Sequence, residues 1–220
     1  MRTLYGAHPS PFVRKVRVVL AEKGLPYDCE PVLHHLFPES FARVSKTISP
    51  LGKIPAYRDD DVALADSSVI CAYLERIAPD PPLYPTDPRD YARALWFEEY
   101  GDSGLAPVLT MKIFAAKVIL PRFFGQPADE AAIGDVVDRE LPPLFDYLEG
   151  QIASEAAIVG TRFSIGDIGL GTQFVNLHQY AGIGVDAARW PRLARYVAHV
   201  HSRPSFKAVI DEERALYDLG

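Results

Sequence analysis

The pattern of apolar and polar positions predicts a small mixed α/β unit over the first 78 residues. Short apolar runs between turn residues predict strands, and apolar residues three or four positions apart predict helices. The predicted elements are, in chain order, a strand at Thr3–Tyr5, a helix from Pro11 to about Lys23, a strand at Tyr27–Pro31, a short helix near Ser40–Ser45, strands at Ile54–Tyr57 and Val62–Ala65, and a helix from Ser67 to about Ile77. A helix joins the first two strands, which are therefore expected to be parallel. The next two strands form a hairpin around a polar turn at positions 59–61.

The second part of the chain is predicted to be all helical. Five prolines between positions 79 and 88 indicate a stiff linker, and no convincing strand follows it. Helical periodicity recurs over positions 89–116, 129–152, 165–180, 191–201 and 205–216. Pro107 lies inside the first of these segments and is expected to bend or break it. The sequence therefore predicts a first domain at 1–78, a proline-rich linker at 79–88 and a helical domain at 89–220.

Composition and charge restrict the compartment and the partners. The chain has 220 residues, 48% of them hydrophobic, and a formal net charge of -6. This charge argues against nucleic acid and against an anionic membrane surface as partners. No apolar run approaches the roughly 20 residues that cross a bilayer, and no signal-peptide pattern follows Met1. Cys29 and Cys71 lie in apolar segments without a CxxC spacing, so we interpret both as buried thiols, which favours a cytoplasmic location.

The turn after the first strand carries the most informative residues. Ser10 stands where a helix begins, and Pro11 occupies the first helical position, where the N–H that proline lacks has no helical partner. A hydroxyl at this place lies close to free backbone N–H groups and to the positive end of the helix dipole, which stabilises an anion such as a thiolate. The same residues fit a simple helix cap, so this turn alone leaves both interpretations open.

Two further segments fit the binding of an extended peptide. Pro55 stands at the start of a strand, and a cis bond to Ile54 would leave the N–H and C=O of Ile54 free to pair with a peptide. An ordinary trans bond is the alternative. Asp66-Ser67-Ser68 lies where a strand gives way to a helix and fits an N-cap. It also fits a site in which amides bind a carboxylate and Asp66 binds an ammonium group, as an amino-acid end requires.

The remaining motifs are interpreted as structural. Ser164-Ile165-Gly166-Asp167 has the spacing of a capping box and is expected to begin the central helix of the second domain. His34-His35 has no cysteine or acidic partner at ligand spacing, so no metal site is predicted.

Four motifs occur together and in order: Ser10-Pro11-Phe12, Lys53-Ile54-Pro55-Ala56, Asp66-Ser67 and Ser164-Ile165-Gly166-Asp167. In this combination the chain resembles the cytosolic glutathione S-transferases over essentially its whole length. The resemblance implies an α/β thioredoxin-like N-terminal domain, an all-α helical C-terminal domain and a homodimer. It also implies glutathione as the co-substrate, without a metal.

The resemblance carries over to individual positions. Ser10 matches the hydroxyl that holds the glutathione thiolate in the serine-type classes. The residues matched to glutathione binding are Lys53 and Ile54 for the glycyl and cysteinyl parts, Pro55 as the family's cis-proline, and Asp66 with Ser67 for the γ-glutamyl end. Tyr5 is a rival hydroxyl, because other classes use a tyrosine near the first strand. Its place inside the strand pattern favours Ser10.

The implied reaction is attack of the thiolate on an electrophilic carbon of a hydrophobic molecule, which suits a detoxification enzyme. Helices of the second domain would line the electrophile pocket, with candidates Tyr100, Met111, Phe114 and Phe123. Serine at position 10 argues against the thiol-transfer and reductase classes, which have cysteine there. Ser10-Pro11-Phe12 also differs from the Ser-Ser-Cys pattern of the maleylacetoacetate isomerase class. Peroxide reduction, isomerisation, ether cleavage and a non-catalytic protein-binding role remain alternatives.

The resemblance also places two helices at a two-fold interface, the one from Ser67 and the one from about Arg89. Both helices carry more apolar and aromatic side chains than their own domains obviously need, for example Tyr91, Leu95, Trp96 and Tyr100. A closed, self-complementary contact is the commonest kind of homo-oligomer. Packing of these side chains within one chain is the alternative.

Overall fold

The computed structural model describes residues 1–33 and 36–217, which divide into two compact units. The first unit runs from Met1 to Leu83, and the second begins at Tyr84. The division falls inside the proline-rich stretch at positions 79–88.

The first unit is built on a four-stranded sheet with the order β2-β1-β3-β4. Its strands are β1 (Thr3–Tyr5), β2 (Asp28–Glu30), β3 (Ala56–Arg58) and β4 (Ala63–Ala65). β1 and β2 run parallel, as the helix between them predicts, and the pairs β1–β3 and β3–β4 are antiparallel. The helices of this unit are α1 (Pro11–Glu22), α2 (Pro38–Thr47) and α3 (Ser67–Ile77). The element order predicted from the sequence is confirmed.

α2 is longer than the short helix predicted near Ser40–Ser45. Pro38 occupies its first turn, where an N–H is not needed, and Glu39 places a negative charge near the positive end of the helix dipole. Val44 is the buried residue of this helix, so the apolar pattern on which the prediction relied covers only its middle.

α1 buries charged side chains together with its apolar face. Three cations of this helix are at most 1% exposed: Arg14, Lys15 and Arg17. A buried charge is stable only when it has hydrogen-bonding partners, and the Nε of Arg17 donates to the hydroxyl of Tyr27 at 3.1 Å. The cysteines also differ from expectation in one respect. Cys71 in α3 is buried, whereas Cys29 is only half-buried because β2 is an edge strand.

A buried ion pair fixes the end of the first unit. The Lys23 side chain is fully buried, and its Nζ lies 2.5 Å from Glu75 Oε2 and donates to the carbonyl oxygen of Pro81 at 2.6 Å. The same glutamate accepts a hydrogen bond from the N–H of Leu83 at 3.3 Å. One ammonium group therefore joins the end of α1, the second half of α3 and the beginning of the proline-rich stretch.

The described part of the second unit is helical. Its α-helices are α4 (Pro88–Glu99), α5 (Leu120–Phe124), α6 (Glu130–Arg139), α7 (Leu141–Gln151), α8 (Ile165–Val175), α9 (Pro191–Ser202) and α10 (Pro204–Tyr217). Two segments have the wider π-helical pattern, Tyr100–Ile119 between α4 and α5 and Asn176–Tyr180 after α8. The segment predicted as one helical region over positions 129–152 is divided into α6 and α7 at Glu140.

Pro107 does not break its helix, so that alternative was wrong. Pro88–Phe124 is one continuous helix of 37 residues, and Pro107 lies in its π-helical part. Proline lacks an N–H and crowds the carbonyl one turn earlier, and the wider π pattern accommodates both effects.

The same continuous helix is long and apolar enough to cross a membrane, contrary to the expectation of no such stretch. Only its length and composition give it this property, which core helices of soluble proteins share. Several of its residues pack in the interior of the second unit, among them Leu105, Leu109 and Ile113, which are 0% exposed.

α8 is the centre of the second unit, and all eleven of its residues are buried. It begins with the predicted capping box, in which the Ser164 N–H donates to Asp167 Oδ2 at 2.8 Å. Asp167 also accepts from the Tyr196 hydroxyl and from the Ile158 N–H, each at 2.7 Å. Burial raises the pKa of this carboxyl, and the donors around it oppose that rise. The structural interpretation of the motif is confirmed.

Candidate functional site

The predicted glutathione residues of the first unit converge on one end of its sheet. In the strand register Tyr5 lies opposite Ala56, and Ala56 lies opposite Ala65. Because β1–β3 and β3–β4 are antiparallel, the end of β1, the beginning of β3 and the end of β4 meet at the same edge. The three predicted segments continue from these points: Ser10 follows β1, Ile54-Pro55 precedes β3, and Asp66-Ser67 follows β4.

Ser10 is the N-cap of α1, as predicted. Its backbone is extended, Pro11 occupies the first turn, and its Oγ accepts a hydrogen bond from the Val13 N–H at 3.4 Å. The residue is half-buried. Within residues 1–33 and 36–217, no group accepts the proton of its hydroxyl. Ser10 can therefore cap the helix and still donate a hydrogen bond to a ligand.

Tyr5, the rival hydroxyl, belongs to the core of the first unit. It is 6% exposed and packs with Val32, Val44 and Ala56. The guanidinium of Arg43 lies over its ring, 5.7 Å from the ring centroid. This environment gives Tyr5 a packing role and leaves Ser10 as the better-placed hydroxyl.

The peptide bond between Ile54 and Pro55 is cis, as predicted. In the part of the chain that the structure describes, neither the N–H nor the C=O of Ile54 takes part in a hydrogen bond. Pro55 is buried and Ile54 is half-buried, so the backbone of Ile54 offers a donor and an acceptor beside the sheet.

Ser49 holds the loop in front of this proline, and the sequence reasoning missed it. Its side chain is buried, its Oγ donates to the carbonyl oxygen of Lys53 at 2.7 Å, and it accepts from the Lys53 N–H at 3.2 Å. Gly52 precedes Lys53 with a φ of 63°, a conformation that glycine adopts without steric cost. The Lys53 side chain itself is exposed. A serine next to Pro50 is only a general turn signal, so its partner was visible only in three dimensions.

Asp66 caps α3 from a strained backbone. Among the described residues, Asp66 is the residue other than glycine that has a positive φ, at 80°. Its Oδ1 accepts from the N–H groups of Ser68 at 2.9 Å and Val69 at 3.1 Å. Strained residues of this kind cluster at ligand-binding sites. Asp66 is exposed, so its carboxylate can meet a ligand while it caps the helix.

Ser67 is the first residue of α3 and is 4% exposed. None of the hydrogen bonds found between described residues uses its N–H or its hydroxyl. The dipole of an eleven-residue helix adds positive potential at this point. Ser67 therefore supplies donors suited to a carboxylate, next to the Asp66 carboxylate suited to an ammonium group.

The four electrophile-pocket candidates lie in different surroundings. Tyr100 donates to the carbonyl oxygen of Leu144 at 3.2 Å and stacks near Tyr147, and burial raises its pKa to about 12. Phe114 is 5% exposed and packs edge-on against Tyr180, with 5.3 Å between the two ring centroids. Met111 is 60% exposed, and Phe123 is half-buried. Their joint role in one pocket stays a prediction.

A metal ion in a protein is held by a cluster of His, Cys, Asp or Glu side chains. Among the described residues no cluster of three or more His, Cys, Asp or Glu is arranged to hold a metal ion. His34 and His35 lie outside the described residues.

Comparison with known proteins identifies the family. Residues 4–82 match the N-terminal domain of glutathione S-transferases, and residues 122–199 match their C-terminal domain. The two matches together cover more than half of the chain. The chain therefore belongs to the glutathione S-transferase family.

Relatives and solved structures agree over nearly the whole chain. Glutathione S-transferase Z2 of Arabidopsis thaliana is 27% identical over 213 residues, which are 96% of this chain and 91% of the relative. Maleylacetoacetate isomerase of Rattus norvegicus is 26% identical over 194 residues, or 87% and 83% of the two chains. A glutathione S-transferase structure from Rhodospirillum rubrum has a TM-score of 0.83 at 27% identity and covers 95% of this chain and 91% of its own.

A further structure comes from Methylobacterium radiotolerans, a glutathione S-transferase in complex with glutathione sulfonate. Its TM-score is 0.74 at 29% identity, and the match covers 95% of this chain and 94% of that one. The predicted fold class is confirmed: a thioredoxin-like N-terminal domain and an all-helical C-terminal domain.

Proposed function

We propose that this chain is a glutathione transferase, which joins the sulfur of glutathione to an electrophilic carbon of a hydrophobic small molecule. The observation that carries the proposal is the set of open hydrogen-bonding groups at one end of the sheet, contributed by Ser10, Ile54 and Ser67. Two inter-strand spacings of about 4.8 Å span about 10 Å. Three extended residues span at most about 10 Å. A tripeptide therefore matches this edge in length.

Glutathione would bind extended along this edge. The N–H and C=O of Ile54 pair with its cysteinyl backbone, and the exposed ammonium group of Lys53 meets its glycyl carboxylate. At the other end, Ser67 donates to the γ-glutamyl carboxylate, and Asp66 binds the γ-glutamyl ammonium group. Each ligand charge then meets a protein group of opposite charge or a hydrogen-bond donor.

Ser10 would stabilise the thiolate. Its hydroxyl donates a hydrogen bond to the sulfur, and the N-terminal end of α1 adds positive potential, so the pKa of the thiol falls and its proton leaves to solvent. The thiolate electron pair then forms a bond to the electrophilic carbon, and the leaving group departs with the electron pair of the bond that breaks. Ser10 acts as a hydrogen-bond donor throughout and does not take up the proton.

Calorimetric titration with reduced glutathione and a conjugation assay with a panel of electrophiles test the proposal. We expect saturable binding and glutathione-dependent consumption of at least one electrophile. Absence of glutathione binding by the folded wild-type chain would refute the proposal. Binding without turnover of any electrophile would instead favour the non-catalytic protein-binding alternative.

Isomerisation is a second candidate, because several relatives are named maleylacetoacetate isomerase. The departure at Ser10-Pro11-Phe12 from the pattern of that class argues for conjugation. The two reactions differ in stoichiometry, since conjugation consumes one glutathione per product and isomerisation returns it. Measuring free thiol during turnover of maleylacetoacetate therefore separates them.

We also propose a cytoplasmic homodimer, in which glutathione is kept reduced by its surroundings. α3 and α4 each expose apolar side chains that fit a self-complementary contact: Val69, Ile77, Tyr91 and Trp96, each between 42% and 51% exposed. Sedimentation at micromolar concentration should give twice the chain mass, and Trp96→Glu should shift the chain toward the monomer. A mass of one chain with full activity would refute the dimer.

A further inference from the structure

A buried lysine reaches the first turn of the helix that carries the proposed γ-glutamyl site. Lys15 on α1 is 0% exposed, and its Nζ donates a hydrogen bond to the Oγ of Ser68 at 2.9 Å. Ser68 is the second residue of α3 and follows Ser67 directly. The two bonded residues are 53 positions apart in sequence, so the contact is a tertiary link between α1 and α3.

Ser68 is held from two sides. Its N–H donates to the Oδ1 of Asp66 at 2.9 Å, and its hydroxyl accepts from Lys15. Ser67 lies in sequence between Asp66, whose backbone is strained, and Ser68, which is held in this way. The direction of the Ser67 N–H and hydroxyl therefore depends on how firmly its two neighbours are fixed.

We propose that Lys15 is a positioning residue for the γ-glutamyl carboxylate of glutathione, an inference that rests on the proposed function. The ammonium group holds the hydroxyl of Ser68 and thereby keeps the donors of Ser67 aimed at the carboxylate. Lys15 itself does not touch the ligand. A preorganised donor binds more tightly than one that must be ordered on binding, so loss of Lys15 should weaken recognition of that carboxylate specifically.

The test compares glutathione with an analogue that lacks the γ-glutamyl α-carboxylate, using calorimetric dissociation constants for both ligands. Lys15→Met should weaken glutathione binding about tenfold, the lower end for loss of a hydrogen bond from a charged donor. The same variant should bind the analogue as tightly as the wild type does. Lys15→Arg should recover most of the glutathione affinity, and kcat at saturating glutathione should change less than about twofold because the ligand's sulfur is remote from this turn.

Lys23→Met is the matched control, because it removes a second buried lysine from the other end of α1. It should lower stability without changing the ratio of the two dissociation constants. Ser68→Ala removes the acceptor of Lys15 and should show the same ligand preference as Lys15→Met at smaller size, even if Lys15→Met fails to fold.

Three outcomes overturn the inference. An equal loss for both ligands means general damage to the domain, and an unchanged glutathione affinity in Lys15→Met and Ser68→Ala means that the contact is only structural. In both cases wild-type binding of glutathione leaves the proposed function intact. If the wild type binds no glutathione, the proposed function fails and the role of Lys15 fails with it.

Discussion

Asp66 combines a helix cap, a strained backbone and a proposed ligand contact, and three substitutions separate these roles. Asp66→Asn keeps the side-chain oxygen that accepts from Ser68 and Val69 and removes only the charge. Asp66→Ala removes the cap and keeps a residue with a Cβ at a φ of 80°. Asp66→Gly removes the cap as well, but glycine adopts positive φ without steric cost.

The magnitudes predict that stability and glutathione binding respond differently to these substitutions. Loss of the cap in Asp66→Ala should lower the free energy of unfolding by about 1 kcal/mol. In Asp66→Gly, relief of about 1–3 kcal/mol of backbone strain offsets the few tenths lost with the cap and the flexibility cost of about 0.5–1 kcal/mol, and exceeds them over most of its range. We therefore expect Asp66→Gly to be at least as stable as the wild type and Asp66→Asn to be nearly unchanged. All three should bind glutathione more weakly, because each lacks the carboxylate that meets the ligand ammonium group.

Urea unfolding measures the free energy of unfolding of each variant, and glutathione KM and kcat measure its effect on glutathione recognition. The losses should appear in KM and leave kcat nearly constant, since this end of the ligand is bound equally in the ground and transition states. If Asp66→Gly were as unstable as Asp66→Ala, the strain argument would be wrong. Wild-type glutathione KM in Asp66→Asn, or a fall in kcat at constant KM, would remove the charge contact from the proposal.

Three further predictions address other parts of the chain. Ser10→Ala should bind glutathione nearly normally and lose about 100-fold to 1,000-fold in turnover, the usual effect of removing one donor to a developing anion, whereas Tyr5→Phe should stay active; the reverse result in conjugation assays would assign the role to Tyr5. Lys23→Met should lower the free energy of unfolding by about 3 kcal/mol in urea, because Glu75 loses its partner in a mostly buried pair; a loss within experimental error would show that the pair is dispensable. Burial lowers the pKa of His178 to about 4, so the unfolded chain binds more protons between that value and its ordinary pKa. Stability should therefore fall as pH decreases from about 6.5 to about 4, by at most about 1.4 kcal/mol per pH unit, and His178→Phe should remove this part of the dependence.

Local signals in the sequence predicted the elements with clear ends. Proline or an N-cap residue marks the beginning of α1 and of α3, and both helices begin at the expected residues. α2 was predicted too short because little of it is buried, and the continuation of the helix through Pro107 depends on a π-helical backbone that periodicity does not reveal.

The site was predicted to the extent that it depends on contiguous motifs. Ser10 and Asp66 are found as the helix caps that their spacing indicates. The residues that hold the neighbouring parts of the site were not predictable, because Ser49 acts through the backbone of Lys53 and Lys15 reaches Ser68 across 53 positions of sequence. A pattern of polarity assigns Lys15 to a solvated helix face, and only tertiary packing shows that it is buried.

The way Ser49 holds its loop has a consequence for redesign. Its hydroxyl binds the main chain of Lys53, through one N–H and one C=O, and the lysine side chain is exposed. Loop shape and side-chain chemistry at position 53 are thus set by different residues. A library of all amino acids at this position, with Ser49 kept constant, would vary recognition of the peptide's C-terminal group on an unchanged scaffold, and it would be a direct route to variants that accept glutathione esters or amides.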